Sequence, residues 1–491
     1  MKTGTMQEKR RYSTRLGTAF RLLCIAVLIF SAGCQRNLTT ISSTTPEQAP
    51  ENSVVAPATL SDDAGHPVYQ NLRNPTVVFT FYSNRQFQPF WLEKNELSKK
   101  AKAMMDQISS ARRYGFLPQN YHAREIGQSA IAADQLTLMR VDVLLTDAFL
   151  SMAKDLNNGR SNRRENARAD SIKVVNLIDS LSILSVDAVL EAQEPIFDEY
   201  KKLKMALNDI LDSAASDNQT LLLKGVTRDS SEIFRIVQAI EVNLERWRME
   251  TASLDGTYAW VNIPAYMMYV MENDKIALES RVIVGKRGNE TPRFSSDIEC
   301  FTVFPYWYVP RKISVQEYLP IIRKDTTFLS RNNFDVLDRS GKIQDHSLID
   351  WRKLTPGNFP YTLRQREGKE NSLGVLKFVF DNPYAVFVHD TNAKRLFKNT
   401  MRALSHGCIR MEKAYEFAHY LVSARSKITN EMLDKYLKTD KKATVSLVPS
   451  VPIHIRYFTC DVRNEKLTLY EDIYREDRKL ILKLYNDEEF Y

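Results

Sequence analysis

The stretch "RALSHGCIRM", Arg402–Met411, gathers side chains that are suited to covalent chemistry. A Ser, a His, a Gly, a Cys and an Arg lie close together in it, at Ser405, His406, Gly407, Cys408 and Arg410. A cysteine becomes a nucleophile when its thiolate is populated and a base is within hydrogen-bond reach. The cluster therefore suggests a nucleophile, although a metal site or a buried turn would use the same residue types.

Two histidines are candidate bases for Cys408. His406 lies two residues before it, so in an extended segment both side chains point the same way. His389 ends the strand-like run "YAVFVHD", where a strand can hold it firmly. Arg410 supplies positive charge that favours a thiolate. Gly407 permits unusual backbone angles and leaves backbone N–H groups open to an oxyanion.

Other chemistries fit the sequence less well. A zinc site built from His389, His406 and Cys408 lacks a CxxC or HxxxH spacing and an obvious fourth ligand, so we expect no metal and no cofactor. A nucleophilic Ser405 is disfavoured because the G-x-S-x-G pattern is absent.

The elements that must position these residues change in character along the chain. Three segments between about 70 and 250 have helical apolar spacing: "LSKKAKAMMDQISSARRYG", "DVLLTDAFLSMAKDLNNGR" and "SEIFRIVQAIEVNLERWRM". Beyond Leu254 the runs become strand-like, as in "VLKFVF", which reads as a buried strand. The polar segment Arg311–Arg364 is too long for a simple loop and predicts an inserted subdomain that covers the site. The segment "EKAYEFAHYLVSA" predicts a further helix.

Composition limits the class of protein. The chain has 491 residues, a net charge of +8 and a pI of about 9.0, which predicts several domains and favours anionic partners. No nucleic-acid motif accompanies the charge, so we expect no nucleic-acid partner.

The amino terminus predicts export. Basic residues precede the apolar run Leu22–Ala32, which is too short to span a bilayer comfortably. The run leads into "SAGC", which resembles a lipoprotein lipobox with Ser31 where Leu is usual, and so predicts lipidation of Cys34; the alternative is an ordinary cleaved signal. A Ser-, Thr- and Pro-rich tether follows. Cys300 and Cys460 are either buried thiols or a pair.

The stretch "VFVHDTNAKRLFKNTMRALSHGCIR" resembles the signature of the L,D-transpeptidases with a YkuD-type catalytic domain. "RVIVGKRGNETPRFSSDIECFTVFPYWYVPRKI" and "TCDVRNEKLTLYEDIYREDRKL" are similar to the large, membrane-associated branch of that family, which carries a scaffold domain. The chain departs from that branch at Glu367-Gly368, where Pro-Gly is common, and it lacks a recognisable peptidoglycan-binding module.

The resemblance implies a multidomain α+β protein. A helical N-terminal scaffold domain precedes a mostly-β YkuD-type catalytic domain with an inserted capping subdomain. The expected boundaries are 1–34 signal peptide, 35–65 disordered tether, 66–250 scaffold, 251–440 catalytic domain with the insertion at about 311–364, and 441–491 an extension packed on the catalytic domain.

The resemblance also implies a reaction. Cys408 would attack a peptidoglycan tetrapeptide stem and release D-Ala, with His389 as base and then acid. A second stem would accept the acyl group through its side-chain amine and form a 3→3 cross-link. Ser405, His406, Gly407 and Arg410 would bind substrate or the oxyanion.

Three alternatives remain open for the function: an L,D-carboxypeptidase, a transferase that anchors a protein to peptidoglycan, and a catalytically idle wall-binding lipoprotein. The expected location is the periplasmic side of a bacterial membrane, with the outer membrane favoured by Gln35 after the lipidated cysteine.

Overall fold

The first half of the chain is helical in the computed structural model, which describes residues 60–129, 134–161, 176–216, 232–440 and 442–485. The helices of this half are α1 Pro75–Asn84, α2 Lys99–Ser109, α3 Ala123–Ser129, α4 Gln135–Asn158, α5 Val186–Glu191, α6 Asp198–Ser216 and α7 Glu232–Arg248. A short hairpin, β1 Leu92–Glu93 with β2 Glu96–Leu97, lies between α1 and α2.

The sequence accounts for where these helices begin and end. The Ser98 hydroxyl accepts the Ala101 N–H at 3.2 Å and starts α2. The Asp134 carboxylate does the same for Thr137 at the start of α4, and that helix ends at Gly159, whose φ of +77° suits glycine. The three predicted helical segments are therefore confirmed.

The second half of the chain is built on a nine-stranded sheet. Its strands are β3 Thr257–Asn262, β4 Met267–Glu272, β5 Lys275–Gly285, β6 Phe294–Val303, β11 Leu376–Phe380, β12 Val388–His389, β13 Ala403–Ser405, β14 Ile409–Met411 and β15 Ala443–Arg456. The order is β13-β5-β14-β12-β11-β6-β15-β3-β4, and β4 also pairs with β5, so the sheet closes on itself.

One face of this sheet is an apolar core. Phe378, Val388 and Ile409 point into it, together with the helix Ala414–Arg425 that follows β14. That helix buries Ala414, Phe417, Ala418 and Leu421, as its sequence predicts. Neighbouring residues along each strand point to the opposite face, where the site lies.

The inserted segment has a core of its own. Strands β7 Trp307–Tyr308, β8 Phe334–Leu337, β9 Ile343–Gln344 and β10 Thr362–Gln365 form a separate sheet in the order β7-β10-β8-β9. Helix α8 Arg311–Ile313 continues through a π-helical turn, Ser314–Tyr318, into α9 Leu319–Lys324, and α10 Thr327–Arg331 follows. Trp351, Phe359 and Leu363 are among the buried residues that hold this subdomain together.

Two further helices lie between β14 and β15: α11 Ala414–Arg425 and α12 Asn430–Lys438. Beyond β15 the chain forms a hairpin, β16 Cys460–Arg463 with β17 Lys466–Leu469, and then helix α13 Glu476–Tyr485. Helix α7 packs here: the Trp247 ring stacks on Trp260 of β3, with ring centroids 5.5 Å apart, and Arg246 forms an ion pair with Asp477 of α13 at 2.6 Å. The α+β fold class, helical and then mostly β, is confirmed.

Two expectations about the termini and cysteines can be compared with the structure. Residues 60–65, assigned above to the disordered tether, join the folded unit: the Leu60 amide donates to the Phe87 carbonyl at 2.8 Å, and its side chain is 4% exposed. The predicted signal peptide, Cys34 and the rest of the tether lie outside the described residues. Cys300 and Cys460 are both free thiols, so the alternative in which they pair is wrong. In the described part of the chain, no helix has the length and apolar character needed to cross a membrane.

Candidate active site

A row of polar side chains crosses the face of the sheet that is opposite the core. Thr302 of β6 pairs with Lys377 of β11, Lys377 with His389 of β12, and His389 with Arg410 of β14. Directly opposed residues on neighbouring strands share a face. The sheet register therefore places Lys377 and Arg410 on either side of His389, with Cys408 on the loop that leads into β14.

The loop that carries the cysteine is held by hydrogen bonds from its own serine. The Ser405 hydroxyl donates to the Cys408 carbonyl at 2.5 Å and accepts the Gly407 N–H at 3.2 Å. Gly407 has φ of +114°, a backbone conformation that strains other residues. Ser405 thus has a structural position in the turn, because both its donor and its acceptor capacity are used.

Hydrogen bonds from Thr291, in the segment between β5 and β6, also support this loop. The Thr291 hydroxyl donates to the Gly407 carbonyl at 2.8 Å and accepts the Gly285 N–H at 2.9 Å. The Tyr474 hydroxyl donates to the Gly285 carbonyl at 2.6 Å and accepts the Thr291 N–H at 3.1 Å. The loop is therefore fixed by residues distant in sequence.

We expect backbone N–H groups at this turn to be open to an oxyanion, and among them the Gly407 N–H is already accepted by Ser405. Within the described residues, the Cys408 amide has no hydrogen-bond partner. This amide can therefore bind an oxyanion.

The His389 ring is fixed by backbone carbonyls and is almost fully buried, at 4% exposure. Its Nδ1 bonds the Asp390 carbonyl, and a carbonyl accepts only a protonated nitrogen, so Nε2 is the unprotonated, basic nitrogen of the neutral ring. Burial, then the charge of Arg410, lowers the pKa of His389 to about 3, against the opposing effect of the Asp390 and Leu373 carbonyls. His389 is thus a neutral imidazole at physiological pH.

The Asp390 carboxylate packs against the backbone of Gly374, at a position where a larger residue than glycine would not fit. This buried carboxylate accepts the Val375 N–H at 3.0 Å and pairs with Lys394. Gly374 has φ of +62°, and a Cβ atom there would lie 2.2 Å from the Asp390 carboxylate. Gly374 therefore allows the approach that places Asp390 beside His389.

Cys408 is a free, partly exposed thiol. Burial raises the pKa of the Cys408 thiol, while the Phe387 backbone amide and the charges of Lys377 and Arg410 lower it. Arg410 acts in the predicted direction, but burial outweighs it. In the described structure the thiol lies 3.9 Å from the Ala385 carbonyl and has no hydrogen bond to His389. Catalytic hydrogen bonds are often long before substrate binds.

His406 is directed away from the row, toward the inserted subdomain. Its Nε2 lies 2.5 Å from the Glu317 carboxylate on the π-helical turn. Next to Glu317, Tyr318 interacts electrostatically with Arg410, and the Lys312 ammonium donates to the Asn289 side chain at 2.7 Å. The inserted subdomain therefore contacts the site at several points, and His406 is not placed as the base of Cys408.

The sheet register places His389 beside Arg410, and Cys408 lies two residues before Arg410 on the loop that leads into β14. The structure also adds residues that the sequence analysis missed. Lys377 lies within an apolar run of sequence and was therefore not singled out. A lysine between core residues does indicate a strand with one apolar and one polar face. Glu317 and Thr291 come from distant segments and carry no local signal. In the described ranges, no cluster of three or more His, Cys, Asp or Glu side chains could hold a metal ion.

Residues 256–439 match the family model of the L,D-transpeptidase catalytic domain, YkuD, and residues 76–207 match the Scaffold domain. The chain thus contains a YkuD-type L,D-transpeptidase catalytic domain preceded by a Scaffold domain.

Three known proteins are similar to parts or most of this chain. The chain is 26% identical over 441 residues to a Haemophilus influenzae protein named "Putative L,D-transpeptidase", which covers 88% of this chain and 84% of that protein. A solved L,D-transpeptidase from Mycobacterium smegmatis is 14% identical and covers 41% of this chain and 58% of its own, with a TM-score of 0.20. The Ldtfm–avibactam carbamoyl enzyme is 12% identical and covers 47% and 64%, with a TM-score of 0.18. The chain spans less than two thirds of either solved structure.

Proposed function

We propose that the protein is a peptidoglycan L,D-transpeptidase that works through a thioester on Cys408. One observation carries the proposal: Cys408 lies on the loop that leads into β14, where Arg410 pairs with His389, and the His389 Nδ1 bonds the Asp390 carbonyl. A positioned base beside a thiol is the arrangement that nucleophilic acyl transfer requires. The YkuD family match supports the same chemistry.

In the first half-reaction, His389 Nε2 takes the thiol proton as the Cys408 sulfur attacks the carbonyl carbon of the third stem residue. The oxyanion of the tetrahedral intermediate lies against the Cys408 amide. The C–N bond to D-Ala then breaks, and the proton on His389 passes to the departing amine. The products are free D-Ala and a thioester.

In the second half-reaction, the side-chain amine of a diamino acid on another stem attacks the thioester carbonyl. His389 accepts a proton from that amine and returns it to the sulfur as the C–S bond breaks. The product is an amide that joins the third residues of two stems, a 3→3 cross-link, and Cys408 is restored as a thiol.

Substrate binding uses charged and polar side chains around Cys408. Within the described residues, the half-buried Arg410 guanidinium has no anionic side-chain partner, so it is available to a stem carboxylate. His406 contributes here through Glu317, by holding the inserted subdomain against the loop. That subdomain acts as a cap that excludes water and favours the amine acceptor.

The proposed location is the periplasmic side of a bacterial membrane, and the anchor is a lipid on Cys34. Its support is the "SAGC" sequence after a basic and apolar segment. Membrane fractionation of the native protein and its Cys34→Ala form tests this proposal. Equal membrane association of the two would contradict it.

The function is tested with purified full-length protein and its Cys408→Ala form, each incubated with disaccharide-tetrapeptide. Mass spectrometry should show a dimer that has lost one D-Ala and is joined through two diamino acids, and only with the native protein. Tripeptide alone would identify a carboxypeptidase. A dimer from Cys408→Ala would refute the proposed nucleophile, and no product with an inert thiol would favour an idle wall-binding protein.

A further inference from the structure

Lys377 lies in the middle of β11, a strand whose neighbouring side chains are buried in the apolar core. Leu376, Phe378 and Phe380 on either side of it are buried in the apolar face of β11. Lys377 points to the other face, directly opposite His389 on one neighbouring strand and Thr302 on the other. The sheet register thus brings an ammonium group into the polar row beside the imidazole.

Among the residues that the structure describes, no anionic side chain is paired with this ammonium. The Lys377 Nζ lies 4.1 Å from the centroid of the Phe387 ring, and that ring lies 5.5 Å from the His389 ring. Within the described residues, Lys377 forms no ion pair with a carboxylate. Partial burial of an unpaired cation is unfavourable, so a lysine at this position is unexpected unless negative charge develops nearby.

The groups that face Lys377 come from each neighbouring element. They are Cys408 on the loop before β14, Cys300 on β6, His389 on β12 and Lys442 just before β15. Arg410 faces His389 and Cys408 from β14. Cys408 is the group that becomes negative during the proposed reaction, first as thiolate and then, at the adjoining carbonyl, as oxyanion.

We propose that Lys377 is a positioning residue whose ammonium stabilises negative charge at Cys408 and drives the proton from the His389 imidazole to the leaving amine. Its role as a positioning residue for catalysis rests on the proposed function. Its effect on the thiol does not, because it follows from charge and geometry alone. Lys377 acts on both partners in the same sense: its charge lowers the pKa of the thiol and the pKa of the imidazole. Because both pKa values fall, the thiol ionises more easily and the protonated imidazole gives up its proton more easily to the leaving amine.

The test measures alkylation of Cys408 by iodoacetamide as a function of pH in full-length protein. Trypsin releases Ala403–Arg410, which contains no other cysteine, so mass spectrometry reports this thiol alone. Lys377→Met keeps the length of the side chain and removes its charge, and Lys377→Arg keeps the charge. Lys427→Met, an exposed lysine on the turn between α11 and α12, is the matched control.

Lys377→Met should move the alkylation profile to higher pH, because loss of the positive charge raises the pKa of the thiol. At pH 8 we expect alkylation about three- to tenfold slower, a change typical of one nearby charge at an effective dielectric constant near that of a protein surface. The difference should vanish at high pH, where Lys377 in the native protein also loses its proton. Lys377→Arg and Lys427→Met should follow the native profile at pH 8.

A loss of rate that is equal at every pH would show a purely structural role and overturn the inference. So would an unchanged profile accompanied by a raised KM for the tetrapeptide, which would make Lys377 a substrate anchor. If the profile moves as expected but the native protein forms no cross-link or tripeptide, the inference about the thiol stands and the proposed function fails.

Discussion

At the scale of single residues, Ser405 is the residue whose role changes most between sequence and structure. It lies beside the nucleophile but both of its hydrogen bonds hold the loop, one to Gly407 and one to Cys408. Ser405→Ala leaves the Gly407 N–H and the Cys408 carbonyl without these partners, which misplaces the thiol and the oxyanion donor. We expect acylation about 10- to 100-fold slower, corresponding to one or two lost hydrogen bonds, in a protein that remains folded.

The measurement is the rate of D-Ala release in a single turnover. Ser405→Thr, which keeps the hydroxyl, is the matched variant and should recover most of the rate. If Ser405→Ala and Ser405→Thr were equally slow, steric fit rather than hydrogen bonding would govern the loop.

Residue types and short spacings were enough to single out Cys408, His389 and Arg410 as candidates, because a nucleophile and its base need particular side chains. They were not enough to assign the oxyanion donor. Which amide is free depends on where the Ser405 hydroxyl points, and a sequence does not record that. Lys377 was missed for a related reason: the apolar run around it predicts a buried strand, but only register shows which face its side chain occupies.

At the scale of elements, the inserted subdomain reaches the site through the Glu317–His406 contact. The pair is partly exposed, so it contributes little to stability. The Glu317–His406 contact should instead affect how closely the inserted subdomain covers the site. We expect Glu317→Ala to leave thermal unfolding nearly unchanged and to raise the ratio of hydrolysed tripeptide to cross-linked dimer several-fold, because water enters a less tightly capped site.

Quantitative mass spectrometry of both products gives this ratio. Glu416→Ala is the control, since Glu416 is exposed on α11, which covers the opposite face of the sheet. An unchanged product ratio with Glu317→Ala would show that this contact does not govern water access.

Elements with strong local signals were predicted well. The helices α2, α4 and α7 follow apolar spacing, and α4 stops at Gly159, as its sequence indicates. Sheet closure could not be predicted. It depends on pairings such as β15 with β3, in which Ile453 lies opposite Ala259, and no local pattern encodes contacts between residues so far apart.

At the scale of the whole molecule, buried titratable groups couple folding to pH. Burial, then Arg456, lowers the pKa of His454 to about 4 from its ordinary value of 6.5. Between these values the unfolded chain binds a proton that the folded chain does not, so this contribution to stability is lost as pH falls from 6.5 toward 4. His389 acts in the same sense. Asp142 has the opposite effect on stability. Burial raises its pKa to about 6, so below that pH the folded chain binds a proton more readily than the unfolded chain.

We therefore expect His454→Gln to lose less stability than the native protein between pH 7 and pH 5. Glutamine can keep the hydrogen bond to the Ser295 hydroxyl, which lies 2.9 Å from His454 Nδ1, and it does not titrate. Urea unfolding at the two pH values gives the comparison. An identical loss in both proteins would show that His454 is protonated in the folded state as readily as in the unfolded chain.

The contact between the scaffold and catalytic regions is also a property of the whole molecule. The Trp247–Trp260 stack and the hydrogen bond from the Asn243 amide to the Thr459 hydroxyl, at 2.8 Å, join α7 to β3 and to the segment between β15 and β16. The amphipathic pattern of α7 predicted a buried stripe correctly, but not that the buried stripe would face the catalytic sheet.

The central claim is that Cys408 carries the acyl group, and intact-protein mass spectrometry tests it most directly. Full-length protein mixed with tetrapeptide donor, without an acceptor, should gain the mass of the stem acyl group less D-Ala. The adduct should map to the tryptic peptide Ala403–Arg410, be released by hydroxylamine as a thioester is, and be absent from Cys408→Ala. An adduct on another residue, or on the Cys408→Ala protein, would contradict the account.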